Sequence, residues 1–330
     1  MSAGLSFDAL DFESRLTWIL GSPRSGSTWL LRLLVYPWQL DSRANLGRSD
    51  VGFHGAGPLR RQKGPAIVPI DESYFPRHLT PFLPPTPSGE GRGDPGDYLF
   101  NTRNSKYISY CFSDAYEDAW RPELRRLVLV RLHAQAARAA ERFGLNAPRV
   151  VIKEPNGSYG AEFLMGLLPR ARMIFLARDG RDVLDSQLAL RTRFGSVRRG
   201  TRVIDKGPER LSFVRTHAQL WVNNMTAVDR AYAAHDPSLR MRLRYEDLLA
   251  DTFNALAPIA DWLGDERTHE ELRRAIDDNA FESTSRLKKG KGRMRRAATP
   301  GLWRQNLTPD EQRVANEIMG ETLVHLGYDV

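Results

Sequence analysis

The chain has 330 residues, of which 41% are hydrophobic and 27% are charged, and its formal net charge at pH 7 is +8. This composition is typical of a globular protein with a full core and excludes a disordered or fibrous chain. The single cysteine, Cys111, excludes an intramolecular disulfide. Residues 1–11 lack the pattern of a secretory signal, and no stretch reaches the roughly 20 apolar residues of a membrane span. We therefore expect a cytoplasmic enzyme without an integral membrane segment.

Short apolar runs that end in polar turns predict four strands, at residues 16–20, 149–152, 173–176 and 241–243. Apolar residues at helical spacing predict helices at residues 122–143, 212–233 and 309–326. Strands that alternate with helices indicate an α/β fold, with a parallel sheet between two layers of helices. We expect a single domain over residues 1–330, with loop insertions near residues 81–96 and 191–210. Each of these loops is either a lid or an ordinary surface loop.

A glycine-bearing turn, here called the first turn (residues 21–29), follows the first predicted strand and leads into a leucine-rich helix. Backbone N–H groups at such a turn suit a phosphate-like anion. Gly21 and Gly26 have the spacing of a nucleoside-triphosphate loop, but Ser27 stands where that loop has its lysine. Arg24 carries the positive charge instead. An anionic leaving group held without a metal is therefore favoured over ATP with magnesium, although an ordinary strand-to-helix turn stays open.

A second charged turn, here called the second turn (residues 177–186), follows the third predicted strand. Arg178 lies at the strand end and Ser186 lies two helical turns into the next helix, which we expect Asp179 or Asp182 to cap. A phosphate near this turn would receive charge from Arg178 and a hydrogen bond from Ser186. The alternative is a solvated cluster of salt bridges.

Four segments together resemble the sulfotransferases that use 3′-phosphoadenosine 5′-phosphosulfate (PAPS). The first turn resembles their 5′-phosphosulfate loop and the second turn their 3′-phosphate motif, while Tyr245 begins a Y-E-D-L segment and residues 296–303 resemble R-K-G-x-x-G-x-W. The motifs occur in the family's order, which implies the P-loop-like sulfotransferase fold. The resemblance implies that the following residues bind the nucleotide: Ser25, Gly26, Ser27, Thr28, Trp29, Arg178, Ser186, Tyr245, Arg295 and Arg296.

Two departures from the family pattern concern phosphate contacts. Arg24 stands where cytosolic members usually have lysine, and Ala297 and Ala298 replace the lysine and glycine of the last motif. Arg293 and Arg295, or the basic run 288–291, could compensate, because guanidinium groups match tetrahedral anions well. The alternative is solvated surface charge, which is favoured for Lys288 and Lys289.

The resemblance also implies catalytic roles. Arg24 would neutralise the leaving phosphate, and Lys153 would approach the sulfonate unless it forms a structural ion pair with Glu154. The histidine of the family's K-x-H segment is absent, so Glu72, in a segment resembling that of the carbohydrate-type branch, is the first candidate for the general base. The substitutes that remain open are Glu154, Asp71, His54 and His78.

The expected reaction is in-line, metal-independent transfer of sulfonate from PAPS to a hydroxyl group, which leaves 3′-phosphoadenosine 5′-phosphate (PAP). The expected acceptor is a small molecule, a lipid or a carbohydrate. Nucleic acid is not expected as a partner, because the chain has no zinc-finger, RNP or basic-zipper pattern. Two alternatives stay open: a phosphoryl-transfer kinase and a noncatalytic basic adaptor that binds anions. The sequence carries no pattern that specifies the acceptor or the oligomeric state.

Overall fold

The computed structural model describes residues 8–36, 38–40, 53–55, 67–71, 73, 104–143, 145–191, 204, 207–280 and 299–330. Within these ranges, none of the helices has both the length and the apolar character needed to cross a bilayer. The expected loop at 81–96 and most of that at 191–210 lie outside the described residues, so the proposed lids and the single-domain organisation stay predictions.

A five-stranded parallel sheet forms the centre of the fold. Its strands, in chain order, are β1 (Leu16–Gly21), β4 (Ile67–Asp71), β5 (Arg149–Lys153), β6 (Arg172–Ala177) and β7 (Arg240–Arg244). Their order in the sheet is β4-β5-β1-β6-β7, and a separate antiparallel pair joins β2 (Trp38–Leu40) to β3 (Phe53–Gly55). The four strands expected from the apolar runs are confirmed, each extended by one or two residues.

The sequence did not single out β4 as a core strand. Pro69 lies in its middle, paired in register with Val151. Because proline cannot donate a backbone hydrogen bond, it is tolerated in strands at sheet edges. The position of β4 at one edge of the sheet accommodates this residue.

Helices cover both faces of the sheet. They are α1 (Ala9–Ser14), α2 (Ser27–Val35), α3 (Glu117–Phe143), α4 (Ala161–Leu167), α5 (Gly180–Arg191), α6 (Pro208–Ala234), α7 (Tyr245–Ala250), α8 (Thr252–Trp262), α9 (His269–Asn279), α10 (Trp303–Asn306) and α11 (Pro309–His325). The three long helices predicted from spacing are present. α3 begins five residues before its predicted start, and its first two residues, Glu117 and Asp118, are charged and give no apolar signal.

The side chains of the buried strands alternate between two cores. Trp18, Ile152 and Phe175 pack with α3, α6 and α11 on one face of the sheet. Ile19 and Val151 pack with α2, α8 and α9 on the other face. Apolar residues on both faces are expected of a parallel sheet that is covered twice. The α/β class and its three layers are therefore confirmed.

The register of the sheet places the ends of four strands at one edge. Ile19 pairs with Lys153, Gly21 with Leu176, and Ala177 with Arg244. The first turn, the segment after β5, the second turn and the start of α7 consequently meet there. Ligands of open parallel sheets bind at this carboxyl edge.

Candidate active site

The first turn offers backbone donors at the start of α2. Gly26 is the N-cap, and α2 has no side-chain cap. The first N–H groups of a helix have no partner within it. Trp29 and Leu30 N–H both donate to the Gly26 carbonyl, whereas no acceptor among the described residues is recorded for Ser27 or Thr28 N–H. Together with the positive end of the helix dipole, these groups favour an anion above the turn.

Position 26 requires a glycine because of its backbone conformation and because of the packing of Tyr245 against it. Its φ is +93°, in the region that favours glycine. A Cβ atom at this position would lie 2.5 Å from Tyr245 Cδ2. The glycine therefore lets the aromatic ring at the start of α7 pack directly against the first turn.

Arg24 joins the first turn to the second. Its backbone has φ +74°, which is unusual for a residue with a side chain and typical of strained functional positions. Arg24 Nε donates to Ser186 Oγ at 3.0 Å, and Arg178 Nη1 donates to the Arg24 carbonyl at 2.9 Å. Two motifs more than 150 residues apart in sequence are thus in direct contact.

Tyr245 completes this group. The guanidinium carbon of Arg178 lies 4.3 Å from the centre of its ring, and the Trp29 ring meets the same ring edge-on at a centroid distance of 6.0 Å. Burial raises the pKa of Tyr245, although the nearby Arg178 acts in the opposite direction. The phenol is therefore protonated at neutral pH and available as a hydrogen-bond donor.

Polar contacts hold the second turn in place. Asp179 Oδ1 accepts from Arg181 N–H at 2.9 Å, and Val183 N–H donates to the Asp179 carbonyl, so Asp179 is the cap of α5. Arg181 also forms a buried ion pair with the Asp179 carboxylate. Glu246 accepts from Asp179 N–H at 3.1 Å and from the Tyr328 hydroxyl at 2.9 Å. The start of α5 is therefore fixed to both α7 and the end of the chain.

Asp182, the other expected cap, has a different role. Its carboxylate accepts from Gly301 N–H at 2.7 Å and from Trp303 N–H at 3.3 Å, and burial raises its pKa. The last motif is thus attached to α5 through its glycine and tryptophan. Arg293, Arg295 and Arg296 lie outside the described residues, so their contact with a phosphate stays a prediction.

Lys153 is the last residue of β5 and is only 5% exposed. Glu154 follows it and is fully buried; its carboxylate accepts from Ser73 Oγ at 2.6 Å. The Glu154 carbonyl accepts from Ser158 Oγ at 2.8 Å, and Ser158 Oγ accepts from Gly21 N–H at 2.9 Å. The segment after β5 is therefore bonded to the first turn.

The candidate general base cannot be placed. Glu72 and His78 lie outside the described residues, as does the side chain of Asp71, whose backbone pairs in register with Lys153. His54 lies on β3, and its side chain is likewise outside the described part. The assignment of the base to Glu72 stays a prediction.

The donor set fits a nucleotide that carries phosphate groups. Ser22 Oγ and Ser25 Oγ are buried and have no hydrogen-bond partner among the described residues. Buried hydroxyls without partners are costly, and an anion in the first turn would satisfy them. Arg24, Lys153 and Arg178 supply positive charge at the same edge. In the part of the chain that the structure describes, no three acidic, histidine or cysteine side chains are grouped as metal ligands.

Sequence reasoning missed three residues that position this site. In the sequence, Glu246 is marked only as part of the Y-E-D-L segment, Asp182 only as a possible helix cap, and Ser158 belongs to no motif. Asp182 could have been recognised as a residue of the site, because it lies on the same turn as the proposed phosphate ligands. Ser158 gave none, since its hydrogen bond to Gly21 spans 137 residues.

The sulfotransferase family model matches residues 17–269. Similar solved structures include mouse sulfotransferase SULT7A1 complexed with PAP, with 12% identity, TM-score 0.49 and coverage of 94% of this chain and 85% of that one. Retinol dehydratase with androsterone and inactive cofactor PAP has 17% identity, TM-score 0.46 and coverage of 96% and 82%. The sulfotransferase domain of the Synechococcus PCC 7002 olefin synthase has 18% identity, TM-score 0.47 and coverage of 96% and 95%. No curated protein matches significantly.

Proposed function

Because the chain belongs to the sulfotransferase family, we propose that it transfers a sulfonate group from PAPS to a hydroxyl group of a small-molecule, lipid or carbohydrate acceptor, without a metal ion. The observation that carries this proposal is the contact of Arg24 with Ser186 at 3.0 Å, together with the hydrogen bond from Arg178 to the Arg24 carbonyl. These contacts support the proposal that one nucleotide reaches both the first and the second turn.

PAPS, when bound, supplies a sulfonate activated by its link to the 5′-phosphate. Ser27 and Thr28 N–H hold that phosphate, and Arg24 neutralises the charge that develops on it as the bond to sulfur breaks. Lys153, at the end of β5, neutralises negative charge on the oxygens of the transferred sulfonate group. Arg178, Ser186 and Tyr245 hold the 3′-phosphate. The acceptor hydroxyl forms the new bond to sulfur and gives its proton to the base.

The surroundings of Glu154 bear on whether it or Glu72 is the base. Glu154 is fully buried, and its backbone and carboxylate hold neighbouring segments together, which supports a structural role. We therefore expect Glu154→Gln to lower the melting temperature and Glu72→Gln to lower turnover with little effect on melting. Full turnover in Glu72→Gln would remove it as the base.

The activity is tested with PAPS that carries a radiolabelled sulfonate, incubated in EDTA with chemically diverse hydroxyl compounds. Label is expected in at least one acceptor, with PAP as the second product. Thermal unfolding distinguishes the alternatives, because a ligand that binds only the folded state raises the melting temperature. PAP without magnesium should stabilise the protein. Stabilisation by ATP with magnesium alone would support a kinase, and salt-sensitive polyanion binding without turnover would support an adaptor.

The location in the cytoplasm is part of this proposal. It rests on the single cysteine, Cys111, which is exposed and not in a disulfide. A reducing compartment is compatible with such a residue. Fractionation of cells that express the full chain tests the location.

A further inference from the structure

Three arginines, here called the arginine cluster, lie at the amino-terminal edge of the sheet, opposite the candidate active site. They are Arg15, which precedes β1, Arg149, the first residue of β5, and Arg172, the first residue of β6. The Arg15 carbonyl accepts from Val150 N–H at 3.0 Å, and Thr17 pairs with Arg172. The three residues therefore lie at the starts of three adjacent strands. Arg149 and Lys153 are opposite ends of β5, which separates the two edges by about 13 Å at the usual rise per residue.

The side chains of Arg149 and Arg172 point to the same side of the sheet. Strand residues two apart share a face, and Val151 and Ile174 both belong to the core under α2, α8 and α9. The contacts agree with this direction. The guanidinium carbon of Arg172 lies 5.6 Å from the centre of the Trp262 ring. Arg149 Nη2 lies beside Gly264, 3.0 Å from the position that a Cβ atom would take there. The end of α8 thus borders the arginine cluster on one side.

Ion pairs compensate the positive charge of the cluster only in part. Arg15 pairs with Asp11 at 3.0 Å, but no ion pair of Arg149 or Arg172 with any described residue is recorded. Three guanidinium groups and one carboxylate leave a formal side-chain charge of +2. Burial lowers the pKa of Arg149, and the positive charge of Arg15 lowers it further. Burial also lowers the pKa of Arg172, and the positive charge of Arg149 adds to this effect. The like charges are therefore close enough to repel one another.

The guanidinium groups of the cluster are not saturated with hydrogen bonds. The Nε atoms of Arg15, Arg149 and Arg172 are buried without a hydrogen-bond partner among the described residues, so the atoms that face solvent are other atoms of these side chains. Arg172 Nη1 donates to the Ser14 carbonyl and Arg15 Nη1 to the Pro148 carbonyl, so these side chains are held in place. All three residues remain partly exposed, which leaves the group open to a ligand from solvent.

We propose that the arginine cluster is a second anion-binding site, which takes the phosphate or sulfate group of a small molecule at the amino-terminal edge of the sheet. Guanidinium groups present planar pairs of donors that match tetrahedral oxyanions. A doubly charged group balances the +2 charge of the cluster and its Asp11 partner. The site does not depend on the sulfonate transfer proposed above.

Calorimetric titration at constant ionic strength tests this site, with inorganic phosphate and glycerol 3-phosphate as the probes. The Arg178→Gln variant is used as the background, so that binding in the candidate active site is weakened. Adding Arg149→Gln is expected to weaken phosphate binding tenfold or more, since a hydrogen bond to a charged group is lost. Adding Arg126→Gln, at an exposed arginine of α3 paired with Glu123, removes the same charge and should leave the affinity unchanged.

Each result of the titration has a defined meaning. Equal affinity for both probes shows that the site accepts phosphate esters as well as the free ion, and binding of inorganic phosphate alone restricts it to the free ion. Either result supports the proposal if Arg149→Gln weakens the binding. Unchanged affinity in Arg149→Gln, or no phosphate binding in the Arg178→Gln background, overturns it. Melting of the single variant is a second measurement. Without phosphate Arg149→Gln should melt above wild type, because repulsion is relieved, and phosphate should raise its melting temperature less.

Discussion

The contact between Gly26 and Tyr245 gives a sharp prediction for Gly26→Ala. A side chain at φ +93° costs about 1–2 kcal/mol. The new Cβ would lie 2.5 Å and 2.7 Å from two atoms of the Tyr245 ring, which is 6% exposed and has Arg178 on its face. Displacing a packed ring costs about 1–3 kcal/mol more. We therefore expect a loss of about 2–5 kcal/mol in the free energy of unfolding.

The same displacement should disturb nucleotide binding, because Arg178 and Tyr245 move together. Loss of one hydrogen bond to a phosphate weakens binding about tenfold or more. Urea denaturation measures the stability and calorimetric titration with PAP the affinity. Gly207→Ala is the matched control, since Gly207 also has positive φ, at +84°, but has no atom within 4 Å of the added Cβ. The control should lose stability and keep its affinity. Wild-type affinity in Gly26→Ala would refute the reasoning.

Three further predictions concern single side chains. Arg24→Ala should lower kcat about a hundredfold or more, measured with saturating PAPS, because charge on the leaving phosphate is no longer neutralised; an unchanged kcat would contradict its role. Tyr328→Phe should lower the free energy of unfolding in urea by about 1–3 kcal/mol, since Glu246 loses a donor; an unchanged midpoint would contradict this. Burial raises the pKa of Asp182, so the folded chain binds this proton more tightly than the unfolded chain. The protonated carboxyl group therefore stabilises the fold at low pH, and this contribution is lost as pH rises from 3.8 through the folded pKa. The stability of wild type relative to Asp182→Asn should fall over that range, and a rise would refute the assignment.

The sequence predicted the class of fold because the signals involved are local. Apolar runs marked β1, β5, β6 and β7, and glycines with charged residues marked the two turns that follow β1 and β6. Local patterns could not identify β4 in the same way, because Pro69 interrupts its strand signal. The start of α3 was missed for a related reason, since its first residues are charged.

The contacts that assemble the site were beyond local patterns. The hydrogen bonds from Arg24 to Ser186 and from Gly21 N–H to Ser158 span 162 and 137 residues. Such pairs depend on the register of neighbouring strands, which the sequence does not state. The arginine cluster was hidden for the same reason, because Arg15, Arg149 and Arg172 become neighbours only when three strands pair.

In the proposed complex, the first and second turns hold the two phosphate groups of one nucleotide. A crystal structure of the full chain soaked with PAP tests it most directly. We expect a single PAP molecule, with its 5′-phosphate bound by Ser27 and Thr28 N–H and its 3′-phosphate bound by Arg178 and Ser186. A nucleotide that contacts only one of the two turns, or that binds elsewhere on the protein, would contradict it.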